Sequence, residues 1–422
     1  MKIKVKKLSY EDVLNLPREK HIKPPKQSGF FRWLMKTLSV KELKDINFKC
    51  KEVGMEKLSD NEPAFFLMNH SSFTDLQIAA TLLQNRPYHI VMTNDGMIGK
   101  SFLMRKLGCI PTRKFITDVI FVKDASHVVK KYNSSILMYP EASYSFDGTM
   151  TPLPDSLGKM VKLLNIPVIM IRTYGAFLRD PLYNNLQKRK VDVSVTQTYL
   201  LSKEEIKEKS VAEINDIINK AFEYNHFEEQ IDNKIKITEP FRADSLERVL
   251  YKCQKCGCEG RMFGKGISIK CGNCGDTHEL SEEGKLIHIG DGKSKFELIP
   301  DWYNWERQCI REEILEKSYK LDTTVNIKML VDSKYIYDIG EGRLVHDVNG
   351  FMLTNNDKSL VYKQGPKYSY SLYADYYWYE IGDVISIGDM KAQYYCFPDK
   401  ESNVSVAKAR LATEEMYKLL FV

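Results

Sequence analysis

The stretch Phe65-Phe66-Leu67-Met68-Asn69-His70-Ser71-Ser72-Phe73-Thr74-Asp75 opens as a strand and closes as the start of a helix. Its apolar half is continuous rather than alternating, as in a strand covered on both faces. Outward from it, short apolar runs alternate with amphipathic segments as far as about residue 200. Residues 64–68, 88–93, 135–139, 167–171 and 191–198 read as strands, and 76–83, 100–107, 125–131 and 156–164 as helices. Such alternation implies an α/β layer fold with a largely parallel sheet. Two Ser-x-x-Glu capping boxes, Ser202/Glu205 and Ser210/Glu213, announce one helix, with Val211, Ile214, Ile217, Ile218 and Phe222 on one face, that closes the unit.

In open α/β sheets ligands gather at the carboxyl ends of the strands, which is where His70 falls. Asp75, five residues on, is placed to turn back and accept the second ring N–H, fixing the tautomer. From the residues alone this is either a general base with its orienter or a structural histidine beside a helix-capping aspartate. A second strand, 135–139, runs into Pro140-Glu141-Ala142-Ser143-Tyr144-Ser145, which again sets a carboxylate and small polar groups at a strand's carboxyl end. Ser143 lacks the Gly-x-Ser-x-Gly turn of a hydrolase nucleophile.

Together these segments resemble the glycerolipid acyltransferase superfamily, the lysophosphatidic acid acyltransferases and their relatives, over about residues 30–230. The family's first block, Asn-His, four residues, Asp, stands here as Asn69-His70 to Asp75. Its third, Pro-Glu-Gly-Thr after an aromatic, stands as Tyr139-Pro140-Glu141-Ala142-Ser143. A weaker second block runs from Gly108 to Arg113, and a fourth is Ile166-Pro167-Val168-Ile169. The resemblance implies transfer of a fatty acyl group from acyl-CoA or acyl carrier protein to the hydroxyl of a lysophospholipid in phospholipid biosynthesis. It implies His70 as base oriented by Asp75, with Asn69, Arg113 and Ser143 on the substrate side and Glu141 either binding the acceptor there or holding the site. One departure bears on the acceptor: Ala142-Ser143-Tyr144 replaces the family's Gly-Thr-Arg, so the arginine that helps hold the acceptor phosphate is missing. Arg113, Lys114 or Arg172 could stand in for it, or the acceptor carries no phosphate; Arg172, alone in mid-strand, reads rather as a structural ion-pair partner.

Farther along, Cys253-Gln-Lys-Cys256-Gly and Cys271-Gly-Asn-Cys274-Gly form two CxxCG knuckles fourteen residues apart. Each brings two sulfurs to one side, and the glycine allows the positive φ after the second cysteine. Four thiolates fill a tetrahedral shell, so a zinc ribbon with a structural zinc is expected at Cys253, Cys256, Cys271 and Cys274. Cys258 is the spare thiol and His278 reads as ordinary surface. Lys252, Lys255, Arg261, Lys265 and Lys270 against Glu259 make the unit basic, which suits a scaffold or docking surface better than nucleic acid.

The 422 residues carry 62 Lys plus Arg against 56 Asp plus Glu, and so small a surplus, +6, does not by itself point to a nucleic-acid binder of the histone or ribosomal kind. Eight cations and three acids fall in residues 1–26, just ahead of Phe30, Phe31, Trp33, Leu34 and Met35. With Lys20, Lys23, Lys26, Arg32 and Lys36 they suit an interfacial helix drawn to anionic lipid, or alternatively a helix packed on the α/β unit. No apolar run reaches ~18 residues and the N-terminus lacks a secretory core, so a cytoplasmic protein peripheral to the membrane is expected. Nine cysteines then read as thiols or ligands rather than disulfides. The domain division is 1–60 as a basic helical segment, 61–247 catalytic, 248–295 the ribbon, and 296–422 a β-rich unit, either an antiparallel sheet or a small barrel, ending in a helix over 404–420. A rival function from another class is a zinc-ribbon adaptor that binds lipid or carrier protein without turnover.

Overall fold

The computed structural model describes residues 3–116, 118–399 and 402–421. The N-terminal segment is not purely helical. It holds a strand β1 (Val5–Lys7), helices α1 (Tyr10–Leu14) and α2 (Gly29–Asp45), and a strand β2 (Lys49–Val53). β2 joins β3 (Phe65–Met68), β4 (Tyr88–Thr93), β5 (Cys109–Thr112), β6 (Ser135–Met138), β7 (Val168–Tyr174) and β8 (Ser194–Leu201) in a sheet of order β2-β8-β7-β3-β6-β4-β5.

The sheet is mixed, not largely parallel. β7 and β8 pair antiparallel, from Val168↔Leu201 to Tyr174↔Ser194, and β2 lies parallel to β8, so these two oppose the other five strands. A parallel return needs a crossover long enough to cross a face of the sheet. Residues 175–193 carry only a one-turn helix and a 3-10 turn, and the chain doubles back instead.

The continuous apolar run of β3 is explained by layers on both sides. Phe65 and Leu67 pack with Phe121, Val128, Leu157, Val161, Ile214 and Ile218, while Phe66 and Met68 pack with Leu43, Ile78 and Ala79. These residues come from α2, α3 (Asp75–Leu82), α5 (Val119–Tyr132), α6 (Ser156–Leu164) and α9 (Val211–Ala221), with α4 (Ser101–Lys106) beside β5 and α7 (Ala176–Arg179) after β7. Each of the four β3 side chains is at most 1% exposed, and each contributes about 1.5–3 kcal/mol by burial. Both capping boxes form, but they open two helices, α8 (Lys203–Glu208) and α9, because Lys209 between them is extended. A further helix, α10 (His226–Asp232), follows.

The cysteine-rich unit is a four-stranded antiparallel sheet of β9 (Met262–Lys265), β10 (Ser268–Cys271), β11 (Thr277–Leu280) and β12 (Leu286–His288). After α11 (Ile299–Leu315) come β13 (Lys320–Leu330), β14 (Ile336–Asp347), β15 (Gly350–Asn355), β16 (Val361–Gln364), β17 (Tyr373–Trp378), β18 (Gly382–Gly388) and β19 (Gln393–Pro398), then α12 (Val406–Phe421). These strands form an open antiparallel sheet, β16-β15-β14-β13-β19-β18-β17, with β1 added parallel to β14. Among the described residues β16 and β17 do not pair, so the sheet is not a closed barrel. The crowded run 373–379 fails to alternate because the β17–β18 register shifts between Asp375 and Trp378. Tyr373, Tyr376 and Trp378 are buried, while Tyr377 is exposed. One apolar cluster runs without a break from Phe146 and Phe177 through Cys253, Cys271 and Trp302 to Leu411, so the ribbon shares its core with its neighbours on both sides.

Candidate active site and metal centre

Asn69 and His70 leave the end of β3, Tyr139 to Ser145 leave β6, and Thr173 lies on β7, so three adjacent strands deliver one cluster. His70 Nδ1 lies 3.0 Å from Asp75 Oδ2. The same oxygen accepts the Ser71 and Ser72 backbone N–H groups at 2.9 and 3.1 Å. A carboxylate only accepts, so Nδ1 carries the ring proton and Nε2 keeps its lone pair. Nε2 has no hydrogen-bond partner among the described residues. The ring is stacked between Tyr139 at 4.4 Å and Tyr144 at 3.9 Å, and Phe73 stacks on the far side of Tyr144 at 5.5 Å. Burial pushes the His70 pKa below its ordinary 6.5 against the pull of Asp75, so the imidazole is neutral at pH 7.

Asn69, expected on the substrate side, and Glu141, expected there or holding the site, are both hydrogen-bonded to the groups around His70. Asn69 is fully buried; its Oδ1 accepts Thr173 N–H at 2.8 Å and its amide donates to Thr173 Oγ1 and Ser71 Oγ. Glu141 Oε2 accepts the His70 backbone N–H at 2.9 Å, while Oε1 accepts Thr151 N–H at 2.9 Å and the Tyr224 hydroxyl at 2.8 Å. Burial pushes its pKa up to about 7 despite these donors. Ser143 is buried, and its Oγ has no partner among the described residues. Arg113 stands apart, 3.7 Å from Asp118 and 3.7 Å from the Met390 sulfur of the C-terminal sheet. Arg172 pairs with Glu229 at 2.9 Å, as its mid-strand position suggested.

Several residues at the site gave no signal in the sequence. His226, fully buried at the start of α10, lies 3.2 Å from Ser71 Oγ through Nε2 and 3.1 Å from Glu229 through Nδ1. A chain of polar contacts thus runs Arg172–Glu229–His226–Ser71–Asn69 behind the His70 loop. Tyr224, Thr151 and His226 lie 10 to 155 residues from their partners, and no local pattern marks them.

In the ribbon, the ligand atoms of Cys253, Cys256, Cys271 and Cys274 all lie within 4.8 Å of one another. Cys253 and Cys274 sulfurs are 3.7 Å apart, and those of Cys256 and Cys271 3.8 Å. Four thiolates around one ion at ~2.3 Å sit at tetrahedron edges of ~3.8 Å, so the donor set fits a tetrahedral metal. Gly257 and Gly275 take φ of +71° and +77°, as the knuckle turn requires. Cys258 is outside the cluster. His278 is not surface: it is 1% exposed, bonded to Asp276 at 2.9 Å, and packed edge-on against Trp302.

The acyltransferase family matches residues 49–173. No curated protein matches the chain. Among solved structures, the 1-acyl-sn-glycerophosphate (LPA) acyltransferase PlsC from Thermotoga maritima is similar over 45% of this chain and 78% of its own, with 14% identity and a TM-score of 0.34. The matched span runs from β2 to β7 and contains the His70–Asp75 and Pro140–Ser143 blocks, so this part of the chain is similar to the acyltransferase family.

Proposed function

We propose that the protein transfers a fatty acyl group from a thioester, acyl-CoA or acyl carrier protein, to the hydroxyl of a lysophospholipid-like acceptor. The observation that carries this is the neutral His70, with Asp75 on Nδ1 and Nε2 left unpartnered. In this reading Nε2 takes the proton of the acceptor hydroxyl as its oxygen attacks the thioester carbonyl. The C–S bond then breaks, and the leaving thiolate takes that proton from His70 while Asp75 steadies the imidazolium. General-base catalysis of this kind contributes about 10²–10⁴-fold. Glu141, Asn69 and the Arg172–Glu229–His226 chain hold the loop that fixes the base.

The test is mass spectrometry of lipids after incubation with either thioester and a panel of acceptors. His70→Ala, with an unchanged melting curve, should lose about 10²–10⁴-fold in transfer. Full transfer by a folded His70→Ala protein would overturn the role given to His70, and no product from any donor with wild-type protein would favour the non-catalytic adaptor.

No helix among the described residues is long and apolar enough to cross a membrane. Phe30 and Trp33 on α2, Phe73 and Leu76 at α3, and Phe102 on α4 are all exposed, with Arg32, Lys36 and Lys106 among them. They support a peripheral contact with anionic lipid. Phe30→Ser with Trp33→Ser in the full chain should weaken co-sedimentation with anionic vesicles, and unchanged binding would remove this role. Zinc is the proposed occupant of the four-cysteine shell, in a structural capacity because no position remains for water.

A further inference from the structure

The loop that follows β6 is held from outside the α/β unit. Tyr144 lays its ring on the His70 imidazole at 3.9 Å, and its backbone carbonyl accepts from Arg410 of α12 at 3.3 Å. Among the described residues no other group donates to that carbonyl. The next residue, Ser145, donates its backbone N–H to the His70 carbonyl at 3.3 Å. Phe146, after it, has the Arg410 guanidinium 4.5 Å from its ring and the Tyr376 ring of β17 stacked on it at 4.2 Å. Arg410 is itself fixed: it is buried, and its Nε donates to Glu414 at 3.1 Å. Glu414 in turn accepts from Arg307 of α11 at 2.8 Å and from the Ser371 hydroxyl at 2.7 Å. The C-terminal sheet is seated on the same unit at a second place, where Lys114, after β5, holds its ammonium 3.9 Å above the Tyr373 ring and Tyr370 meets Phe115 at 5.4 Å.

A buried guanidinium is costly to desolvate and persists where its donors are used. Here the planar fork ties two groups together, Glu414 on its own helix and the Tyr144 carbonyl on the loop beside the base. The Tyr144 ring covers one face of an imidazole whose other neighbour is Tyr139 at 4.4 Å. Asp75 fixes the Nδ1 edge of that imidazole, which leaves the ring free to tilt about the bond to Asp75. Stacked rings resist that tilt, and a base must hold its ring plane for Nε2 to meet a hydroxyl in line.

We infer that Arg410 is a positioning residue for His70: from α12 it holds the Tyr144 carbonyl, keeps the Tyr144 ring on the imidazole, and makes the C-terminal region a working part of the transferase site. This rests on the reading of His70 as the base of acyl transfer and adds the element that holds it.

The experiment uses the full chain with oleoyl-CoA or oleoyl-acyl carrier protein as donor, and 1-oleoylglycerol or 1-oleoylglycerol 3-phosphate as acceptor. Arg410→Gln should lower kcat about tenfold and leave KM within about twofold, because the base is misplaced while substrate binding is kept. Nuclear magnetic resonance of protein carrying isotope-labelled histidine gives a second readout, with His70→Ala to assign the signal. The stacked tyrosines shift the His70 ring protons upfield, and Arg410→Gln should move them downfield, toward their positions in Tyr144→Ala. Tyr144→Ala should lose kcat to a similar extent, and adding Arg410→Gln to it should cost less than about twofold more. Arg311→Gln removes an ion pair with Glu415 at 3.0 Å from the same α11–α12 seam without touching the loop, and should change neither kcat nor the ring protons. If Arg410→Gln fails to fold, Arg410→Lys, which keeps a cation against Glu414 but has one nitrogen in place of the fork, should give the same two changes. Folded protein of either variant with unchanged kcat and ring protons would overturn the inference, and so would losses that multiply in the double variant. Wild-type protein that forms no product would overturn the transferase reading, and the ring protons, which need no substrate, would then judge the hold on His70 by themselves.

Discussion

The His70 site and the cysteine ribbon each gather residues around one reactive point, by opposite means. The ribbon takes its four sulfurs from two five-residue knuckles, two of them buried and two exposed, and needs little beyond the turn geometry of each knuckle. The His70 site takes Asp75 from five residues away but Glu141, Thr173, Tyr224 and His226 from 71 to 156 residues away. In the ribbon local chemistry makes the site, and the fold is drawn around it. At His70 the fold makes the site, because only the sheet brings the ends of β3, β6 and β7 together. The ribbon should accordingly fail when its ion is removed, and the His70 site should fail when a buried partner is removed.

The largest effect follows from taking the metal from the ribbon. Structural zinc contributes an apparent 10–16 kcal/mol in isolated fingers near pH 7. Cys253 and Cys271 lie in the same apolar cluster as Trp302 and Leu411, so the loss should spread beyond 253–274. Stripping the ion with a chelator, or Cys271→Ser, should lower the melting temperature by more than about 10 °C and open the ribbon to protease. An unchanged melting curve in a protein shown by elemental analysis to hold no metal would mean that the shared core alone holds the ribbon, and the contrast between the two regions would disappear.

At His70 the corresponding test leaves the fold intact. Asp75→Asn removes the charge that steadies the imidazolium and should lower kcat about 10³-fold, roughly 4 kcal/mol, with little change in melting. The pH dependence carries the sign. Burial holds the His70 pKa below 6.5, and a base works only when neutral, so kcat/KM should be flat above that value and fall on its acid side. Since Asp75 raises that pKa, the acid limb should move to still lower pH in Asp75→Asn. A histidine depressed in the folded state also makes stability fall as pH drops below 6.5, since the unfolded chain takes the proton more readily. An acid limb above 6.5 in the wild-type protein would break the account of the base.

What could be read in the sequence follows the same division. The strand read at 64–68, the Asn-His-x4-Asp spacing and the four cysteines are local; the structure has the strand at Phe65–Met68, sets His70 3.0 Å from Asp75 and gathers the four sulfurs within 4.8 Å. Strand direction is not local: β8 looks like any other strand after β7, and only the short link 175–193 turns it round. The burial of His278 and the paired state of Lys114 depend on side chains 24 to 259 residues away, which no spacing rule reaches. Asn69 and Glu141 were legible as members of the site. Which groups each of them bonds was not, because that depends on which backbone N–H groups the fold turns toward them.

The smallest effect separates the two regions by sign. Ala142 adopts φ +57°, a left-handed conformation that costs a residue with a Cβ about 1 kcal/mol, in the Pro140–Ser143 block. Gly257 adopts φ +71° in the first knuckle with no atom near an added Cβ, so backbone conformation alone opposes a side chain there. Ala142→Gly should therefore gain at most about 0.5 kcal/mol, after the ~0.5–1 kcal/mol of chain entropy that glycine loses on folding, and Gly257→Ala should lose a similar amount. Urea midpoints at constant m give both values. If Ala142→Gly destabilised the protein, the Ala142 methyl would be making contacts that outweigh its conformational strain, and the turn carrying Ser143 and Tyr144 would depend on packing rather than on backbone freedom.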